Sequence, residues 1–336
     1  MPAILEVENL VKKFGDFEAV KGVSFTVEEG EVFGLLGPNG AGKTTTISML
    51  TGILPPSAGT ARIGGYDIRT EMDRAKTLNG LVPQDLALYP TLSARANLEF
   101  FGRIYGLHGR DLKERVADVL RIVSLTERAD QTIETFSGGM KRRVNIAAGL
   151  VHQPRLLFLD EPTVGVDPQS RNYIFESVLR LNRDRGMSII YTSHYMEEVE
   201  LLCNRAAIID QGQIVALDTI KNLIGLLGGG VIHVGIERAD PAMLEALSAL
   251  PAVKEADVIT PPIAAPLAPD AEPEQQERSP VASGAVIKVI TEHSQQALVN
   301  IIGYLNAKDL TLTSLEILEP NLESVFLHLT GKKLRD

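Results

Sequence analysis

The stretch Val32-Phe-Gly-Leu-Leu-Gly37-Pro38-Asn39-Gly40-Ala41-Gly42-Lys43-Thr44-Thr45 constrains the fold more than any other part of the chain. A short apolar run enters a glycine-rich turn, and the turn leads into Lys-Thr and a helix-like sequence. This is G-x-x-x-x-G-K-[ST] in the strand-before, helix-after context that a phosphate-binding loop requires. Gly37, Gly40 and Gly42 let the backbone curl so that successive N–H groups point at phosphate oxygens. Lys43 adds a point charge near the β- and γ-phosphates, and the Thr44 hydroxyl is a ligand for Mg²⁺. The helix that starts there contributes the positive end of its dipole. The four fixed positions match by chance in only about one chain in a hundred of this length. The expectation is a nucleoside triphosphate site built from residues 37–45.

The chain has 336 residues, enough for two domains. Its net charge of −10 argues against a nucleic-acid partner, which calls for a basic face. A single cysteine, Cys203, lies in the apolar run Leu201-Leu202-Cys203, so no disulfide framework exists and a buried, inert thiol is expected. The six histidines are scattered, with no metal-ligand spacing. The opening Met1-Pro-Ala-Ile-Leu-Glu6 has neither the charged nor the apolar region of a signal peptide. No run reaches the ~18 apolar residues of a membrane span. The expectation is a soluble, cytoplasmic polypeptide whose membrane counterpart, if it has one, is another chain.

Alternation over Leu5–Leu10 and Val23–Val27 predicts antiparallel strands, and Gly64-Gly65 predicts a hairpin within residues 61–68. Pro55-Pro56 closes the helix after the phosphate loop. A strand over Gly80–Pro83 leads into a helix-rich stretch from about Ser93 to Leu150, the heart of a helical subdomain over about 86–150. Leu156–Leu159, Met187–Thr192 and Ala206–Ile209 are short, unalternating apolar runs, as in a parallel sheet covered on both faces. Gln211-Gly212 predicts a tight turn into Gln213–Ala216. The cluster Gly228-Gly229-Gly230 marks a boundary between a first domain over 1–227 and a second over 228–336. The second reads β-α-β-β-α-β, the ferredoxin-like split-βαβ order, followed by an amphipathic helix over Leu322–Leu329. Residues 260–284, rich in Pro, Ala, Glu and Gln, read as a mobile loop, with a partner-binding segment as the alternative.

Leu156-Leu157-Phe158-Leu159-Asp160-Glu161 is an apolar strand ending in two carboxylates. An acid at a strand's C-terminal end can meet Mg²⁺ beside a phosphate, and Glu161 is placed to take a proton from an attacking water. Between this strand and the phosphate loop stands Thr135-Phe136-Ser137-Gly138-Gly139-Met140-Lys141-Arg142-Arg143. Ser137 is a good N-cap, and Gly138-Gly139 leaves bare N–H groups at a helix start.

That stretch, spaced between the phosphate loop and Asp160, resembles the signature motif of ABC-type ATPases, and the resemblance extends over residues 4 to about 220. It implies a P-loop cassette with a parallel core sheet, an antiparallel β-subdomain and a helical subdomain. It also implies ATP as substrate, and a homodimer in which Ser137, Gly138 and Gly139 of one copy cover the γ-phosphate held by the other. Phe14, 29 residues before Lys43, takes the place of the adenine-stacking aromatic, with Phe17 as a rival. Gln84 matches the glutamine that ligates Mg²⁺ and senses the membrane partner, so the implied metal set is Thr44, Gln84 and Asp160. Asp167 in Val164-Gly165-Val166-Asp167-Pro168 matches a loop that crosses the dimer interface. His194 in Thr192-Ser193-His194 matches the switch histidine that hydrogen-bonds the γ-phosphate. Lys43, Gln84, Glu161 and His194 form the implied catalytic set. Phe136 and Met140 depart from the usual Leu and Gln of the signature, while Ser137-Gly138-Gly139 is intact.

Tyr89–Leu98 and the tail Glu319–Gly331 resemble the daunorubicin-resistance type of multidrug exporter ATPase, which drives a separate integral-membrane permease from the inner face of the cell membrane. Residues 86–105 then hold the groove for a coupling helix, although Tyr89, Phe100, Phe101 and Tyr105 could equally be core residues of the helical subdomain. The alternative is a soluble ABC ATPase or a regulatory nucleotide-binding module. The former would usually show tandem cassettes or a long coiled-coil insertion, and the latter would lack Glu161 or His194.

Overall fold

The computed structural model describes residues 2–227, 229–236, 241–259, 285–308, 310–318 and 320–330. The loop expected over 260–284 lies outside the described residues. The chain divides into two compact units, Met1–Leu223 with the end of the chain from Phe326, and Ile224–Val325. The division therefore falls four residues before the glycine cluster that the sequence suggests.

The first unit opens with an antiparallel sheet of order β2-β1-β4-β5, from β1 (Ala3–Phe14), β2 (Phe17–Glu28), β4 (Ala58–Ile63) and β5 (Tyr66–Asp67). One face is wet and one buried, so the residues alternate: Val23, Phe25 and Val27 point inward between exposed neighbours. The second sheet has order β10-β9-β3-β8-β7-β6. Its strands are β3 (Val32–Leu36), β6 (Asn79–Val82), β7 (Leu156–Asp160), β8 (Ser188–Ser193), β9 (Arg205–Asp210) and β10 (Gln213–Thr219). Every residue of β3, β7 and β8 is buried, which is why these segments show no alternation. All neighbours pair in parallel except β10, which folds back on β9 through Gln211 and Gly212 at φ 49° and 82°. Two successive positive φ values make the type I′ turn that suits a two-residue hairpin. Phe25 and Phe33 stack with ring centroids 5.3 Å apart, joining the two sheets through one core.

Helices α1 (Lys43–Leu50) and α2 (Met72–Leu78) precede β6, and α3 (Ala94–Ile104), α4 (Gly109–Ile122) and α5 (Gly138–Leu150) fill the stretch between β6 and β7. Helix α1 ends well before Pro55, and α2 has no counterpart in the sequence reading. The longest helix, α6 (Pro168–Arg185), has Asp167 as its side-chain cap, Pro168 in its first turn and Gly186 in the left-handed conformation at its end. Helices α7 (Met196–Leu202) and α8 (Ile220–Gly225) follow β8 and β10.

What places the functional end is register. Leu36 at the end of β3 pairs with Ser193, and Asp160 at the end of β7 pairs with Thr192. The phosphate loop, the two carboxylates and His194 therefore leave three adjacent parallel strands at the same level, outside their carboxyl ends.

The second unit contains β11 (Val231–Ile236), α9 (Pro241–Ser248), β12 (Val253–Ile259), β13 (Ala285–Thr291), α10 (Ser294–Ala307) and β14 (Leu312–Leu318). Its sheet, of order β12-β13-β11-β14, is antiparallel throughout. Ile232, Val234, Leu247, Ile287, Val289 and Ile301 belong to a core of its own. Helix α11 (Leu322–Thr330) comes last.

Candidate functional site

The phosphate loop wraps the start of α1. Gly42 caps that helix at φ 107°, and a Cβ there would lie 2.7 Å from the Ala19 carbonyl oxygen, so no other residue fits without displacing the backbone. The turn between β9 and β10 braces the loop from one side. Gly212 N–H donates to Ala41 O at 2.9 Å, and Lys21 N–H donates to Gly212 O at 2.8 Å.

Lys43 is buried, donates to two backbone carbonyls and is ion-paired with Glu161. Its Nζ lies 2.8 Å from Gly37 O, 3.2 Å from Pro38 O and 3.0 Å from Glu161 Oε1. The other oxygen of Glu161, Oε2, lies 3.0 Å from His194 Nδ1. A carboxylate only accepts, so Nδ1 carries the proton and Nε2 is the nitrogen left for another partner. The Glu161 backbone sits at φ 46°, a conformation uncommon for a residue with a side chain, and its N–H donates to Thr192 Oγ1 at 2.9 Å.

Asp160 accepts from Thr192 Oγ1 at 2.7 Å and from Thr44 Oγ1 at 3.2 Å. Burial raises the Asp160 pKa above its ordinary value, and Glu161 adds to that, while the hydroxyls of Thr192 and Thr44 and the charge of Lys43 pull it back. A hydroxyl and a carboxylate in contact at the mouth of a phosphate loop are the hard oxygen donors that suit Mg²⁺. The cleft has a volume of about 680 Å³ and is lined by Phe14, Phe17, Gly40 to Thr45, Gln84, Glu161 and His194 among others. Phe14 and Phe17 are both exposed there, 48% and 67%, so both remain candidates for stacking on a base.

Ser137, Gly138, Gly139 and Asp167 do not line this cleft. Ser137 caps α5 by accepting from Met140 N–H at 3.3 Å, and Ser137 and Gly138 are exposed. Asp167 is also exposed and caps α6, with Oδ1 accepting from Ser170 N–H at 2.9 Å; that bond keeps its pKa low. The starts of α5 and α6 abut, since a Cβ on Gly139 would lie 1.9 Å from Ser170 Oγ.

Sequence reasoning missed the residues that hold these groups. Thr192 binds both Asp160 and the Glu161 amide, and its place beside Ser193-His194 at a strand end was the available signal. Arg142 and Asn145, on α5, donate to Pro83 O at 3.0 and 3.3 Å, fixing the backbone just before Gln84. Burial lowers the pKa of Arg142. Cys203 is buried as expected, and burial raises its pKa. Tyr89, Phe100 and Tyr105 are exposed, with only Phe101 half-buried.

Comparison with known proteins identifies the family. Residues 20–164 match the family model described as ABC transporter. The chain is 47% identical over 334 residues to the linearmycin resistance ATP-binding protein LnrL of Bacillus subtilis, covering 99% of this chain and 100% of that protein. It is 35% identical to the daunorubicin resistance ATP-binding protein DrrA2 of Streptomyces coeruleorubidus, covering 98% of this chain and 95% of the relative. Among solved structures, cbiO1 from Clostridium perfringens, part of the ABC transporter complex cbiONQ, superposes with a TM-score of 0.61 at 30% identity, covering 67% of this chain and 92% of that one. The chain belongs to the ABC transporter family, as an ATP-binding and ATP-hydrolysing subunit.

Proposed function

We propose that this subunit powers export through a separate integral-membrane permease, working as a homodimer that closes around two ATP molecules from the cytoplasmic face of the membrane. The observation that carries this reading is the division of the nucleotide machinery. Lys43, Thr44, Glu161 and His194 line one cleft, with Asp160 bonded to Thr44 behind them, while Ser137, Gly138 and Gly139 stand outside it at a helix start where Ser137 and Gly138 are exposed. A helix start with bare N–H groups suits an anion, and the cleft of a second copy supplies one.

In this reading the amides of residues 37–45 and Lys43 grip the phosphates, and Phe14 or Phe17 stacks on the adenine. Thr44, Gln84 and Asp160 would hold Mg²⁺, which neutralises phosphate charge when bound. Lys43 is ion-paired with Glu161, so a phosphate that engages it competes with that carboxylate for its charge. The freed carboxylate then takes a proton from water as the water attacks the γ-phosphorus, while His194 Nε2 faces the departing phosphoryl group. Asp167, exposed beside Gly139, reaches the facing copy. Exposed Tyr89, Phe100 and Tyr105, with Tyr89 and Phe100 in edge contact at 4.9 Å, suit a helix of the permease. No helix among the described residues is long and apolar enough to cross a membrane, consistent with the permease being another chain. We assign residues 1–227 to the cassette and 228–336 to an accessory domain.

Two experiments test the reading. Affinity purification from membranes of cells that express the tagged subunit should recover a multi-span protein whose presence raises ATP turnover. Recovery of the subunit alone, with turnover indifferent to membranes, would remove the transport assignment. Gly139→Ala forces α5 away from Ser170, and we expect turnover to fall about a hundred-fold because a small displacement of a facing group is that costly. Its ATP affinity, measured with a fluorescent nucleotide, should stay near wild type, since its own cleft is untouched. Equal loss of binding and turnover would place the signature inside its own chain's site instead.

A further inference from the structure

Strand β8 presents two faces to two different networks. Thr192 faces Asp160 and Glu161, whereas its neighbours Tyr191 and Ser193 turn the other way, toward Glu198 on α7. Glu198 is only 2% exposed and stands four residues past His194. Its Oε2 accepts from Tyr191 OH at 2.8 Å and from Ser193 Oγ at 2.9 Å. Thr163 Oγ1 lies 2.8 Å from Oε1 and 2.9 Å from Oε2. Arg171 Nε is 3.5 Å from Oε1, near enough for charge attraction though not hydrogen-bonded.

These partners come from three segments that the cleft depends on. Thr163 is two residues past Glu161 and opens the loop to Asp167, whose turns are closed by Val164 N–H to Glu161 O and Val166 N–H to Thr163 O. Ser193 precedes His194, and its Oγ accepts the Tyr195 N–H at 2.9 Å, which clamps the turn carrying the histidine. Arg171 belongs to the first turns of α6, beside the Ser170 that touches Gly139. One buried carboxylate thus collects three hydroxyl donors and one cation, a set that satisfies it without water. Burial and the Glu198 charge both keep the Tyr191 phenol protonated, so it stays a donor. Glu198 itself does not line the cleft.

We infer that Glu198 is a positioning residue for ATP hydrolysis: it fixes the His194 turn, the Thr163–Asp167 loop and the start of α6 in one arrangement about Glu161. The inference rests on the reading of Glu161 and His194 as the hydrolytic pair. A glutamine at 198 keeps the shape but places an N–H₂ among hydroxyls that are already donating, so at least one must turn away.

The test measures kcat, ATP affinity and thermal midpoint on the full-length protein for Glu198→Gln, Thr163→Val, Ser193→Ala and the Glu198→Gln/Thr163→Val double variant, with Glu161→Gln as reference. Glu198→Gln should lower kcat about ten-fold, between no effect and the hundred-fold cost of a full ångström of misplacement. ATP affinity should stay within about two-fold, because the groups that grip phosphate are elsewhere. Thr163→Val should lower kcat less, and should cost little further in the double variant, since both act through one contact. Should Glu198→Gln not fold, Thr163→Val and Ser193→Ala carry the same expectation. Unchanged kcat in folded variants, or effects that add fully, would overturn the inference. Full turnover in Glu161→Gln would instead overturn the reading beneath it.

Discussion

Glu161→Gln abolishes turnover while leaving ATP bound: we expect kcat to fall by about 10²–10⁴-fold, the range for loss of a general base. The substitution is nearly isosteric, so the left-handed backbone at φ 46° and its amide bond to Thr192 persist. The amide oxygen can still accept at the Lys43 side, and its NH₂ can donate to His194 Nδ1 once the ring proton moves to Nε2, so the heavy-atom geometry of the cleft is retained. What disappears is the basic oxygen that takes the proton of the attacking water. Removing a negative charge beside Asp160 also lessens repulsion of the triphosphate, so affinity should hold or rise. Size-exclusion chromatography with MgATP should then show a stable dimer. Turnover within ten-fold of wild type would rule Glu161 out as the base, and a monomer in MgATP would remove the paired-cassette reading.

Lys43→Ala acts at the earlier step. A hydrogen bond to a charged group contributes about 1.5–3 kcal/mol, so losing the ammonium should weaken ATP binding about 10–100-fold. The same change strips Glu161 of the Lys43 cation and removes the ammonium donor from the Gly37 and Pro38 carbonyls. Leaving a buried charge unpaired is destabilising, so a lower thermal midpoint should accompany the lost affinity. Titration with a fluorescent ATP analogue measures the first effect and differential scanning fluorimetry the second. Wild-type affinity in a folded variant would show that the glycine-rich amides suffice without the lysine.

Much of this cleft was legible because its parts are local. The glycines, Lys43 and Thr44 are contiguous, and Asp160-Glu161 ends an apolar run, so strand, loop and helix signals coincide with chemistry. Glu198 was not legible, because in Glu197-Glu198-Val199-Glu200 it reads as one acid of a solvated helix face. Its partner Thr163 is 35 residues away, and only the turn of α7 against β8 brings the two together. Arg142 and Asn145 were hidden for the same reason, since their acceptor Pro83 lies 59 and 62 residues back. The aromatics of α3 were ambiguous because helical spacing shows which residues share a face, not whether that face meets protein or solvent. In the second unit, β-branched runs and helical spacing alternate plainly, whereas the strand order is set by β11 pairing with both β13 and β14, a long-range contact that local pattern does not show. Helix α2 was missed because Met72–Leu78 is short and buries only Ala75.

The two amide bonds at Gly212 have a mechanical corollary. They lie outside every strand ladder of the two sheets, yet they rivet the carbonyl of Ala41 to the backbone of Lys21 through a single glycine. A tug on Ala41 therefore arrives at β2 without slack, and whatever recoil follows the loss of a phosphate is shared by the whole antiparallel sheet. The far tip of that sheet's first hairpin is where Phe14 and Phe17 stand opposite each other, so the same recoil reaches both aromatics.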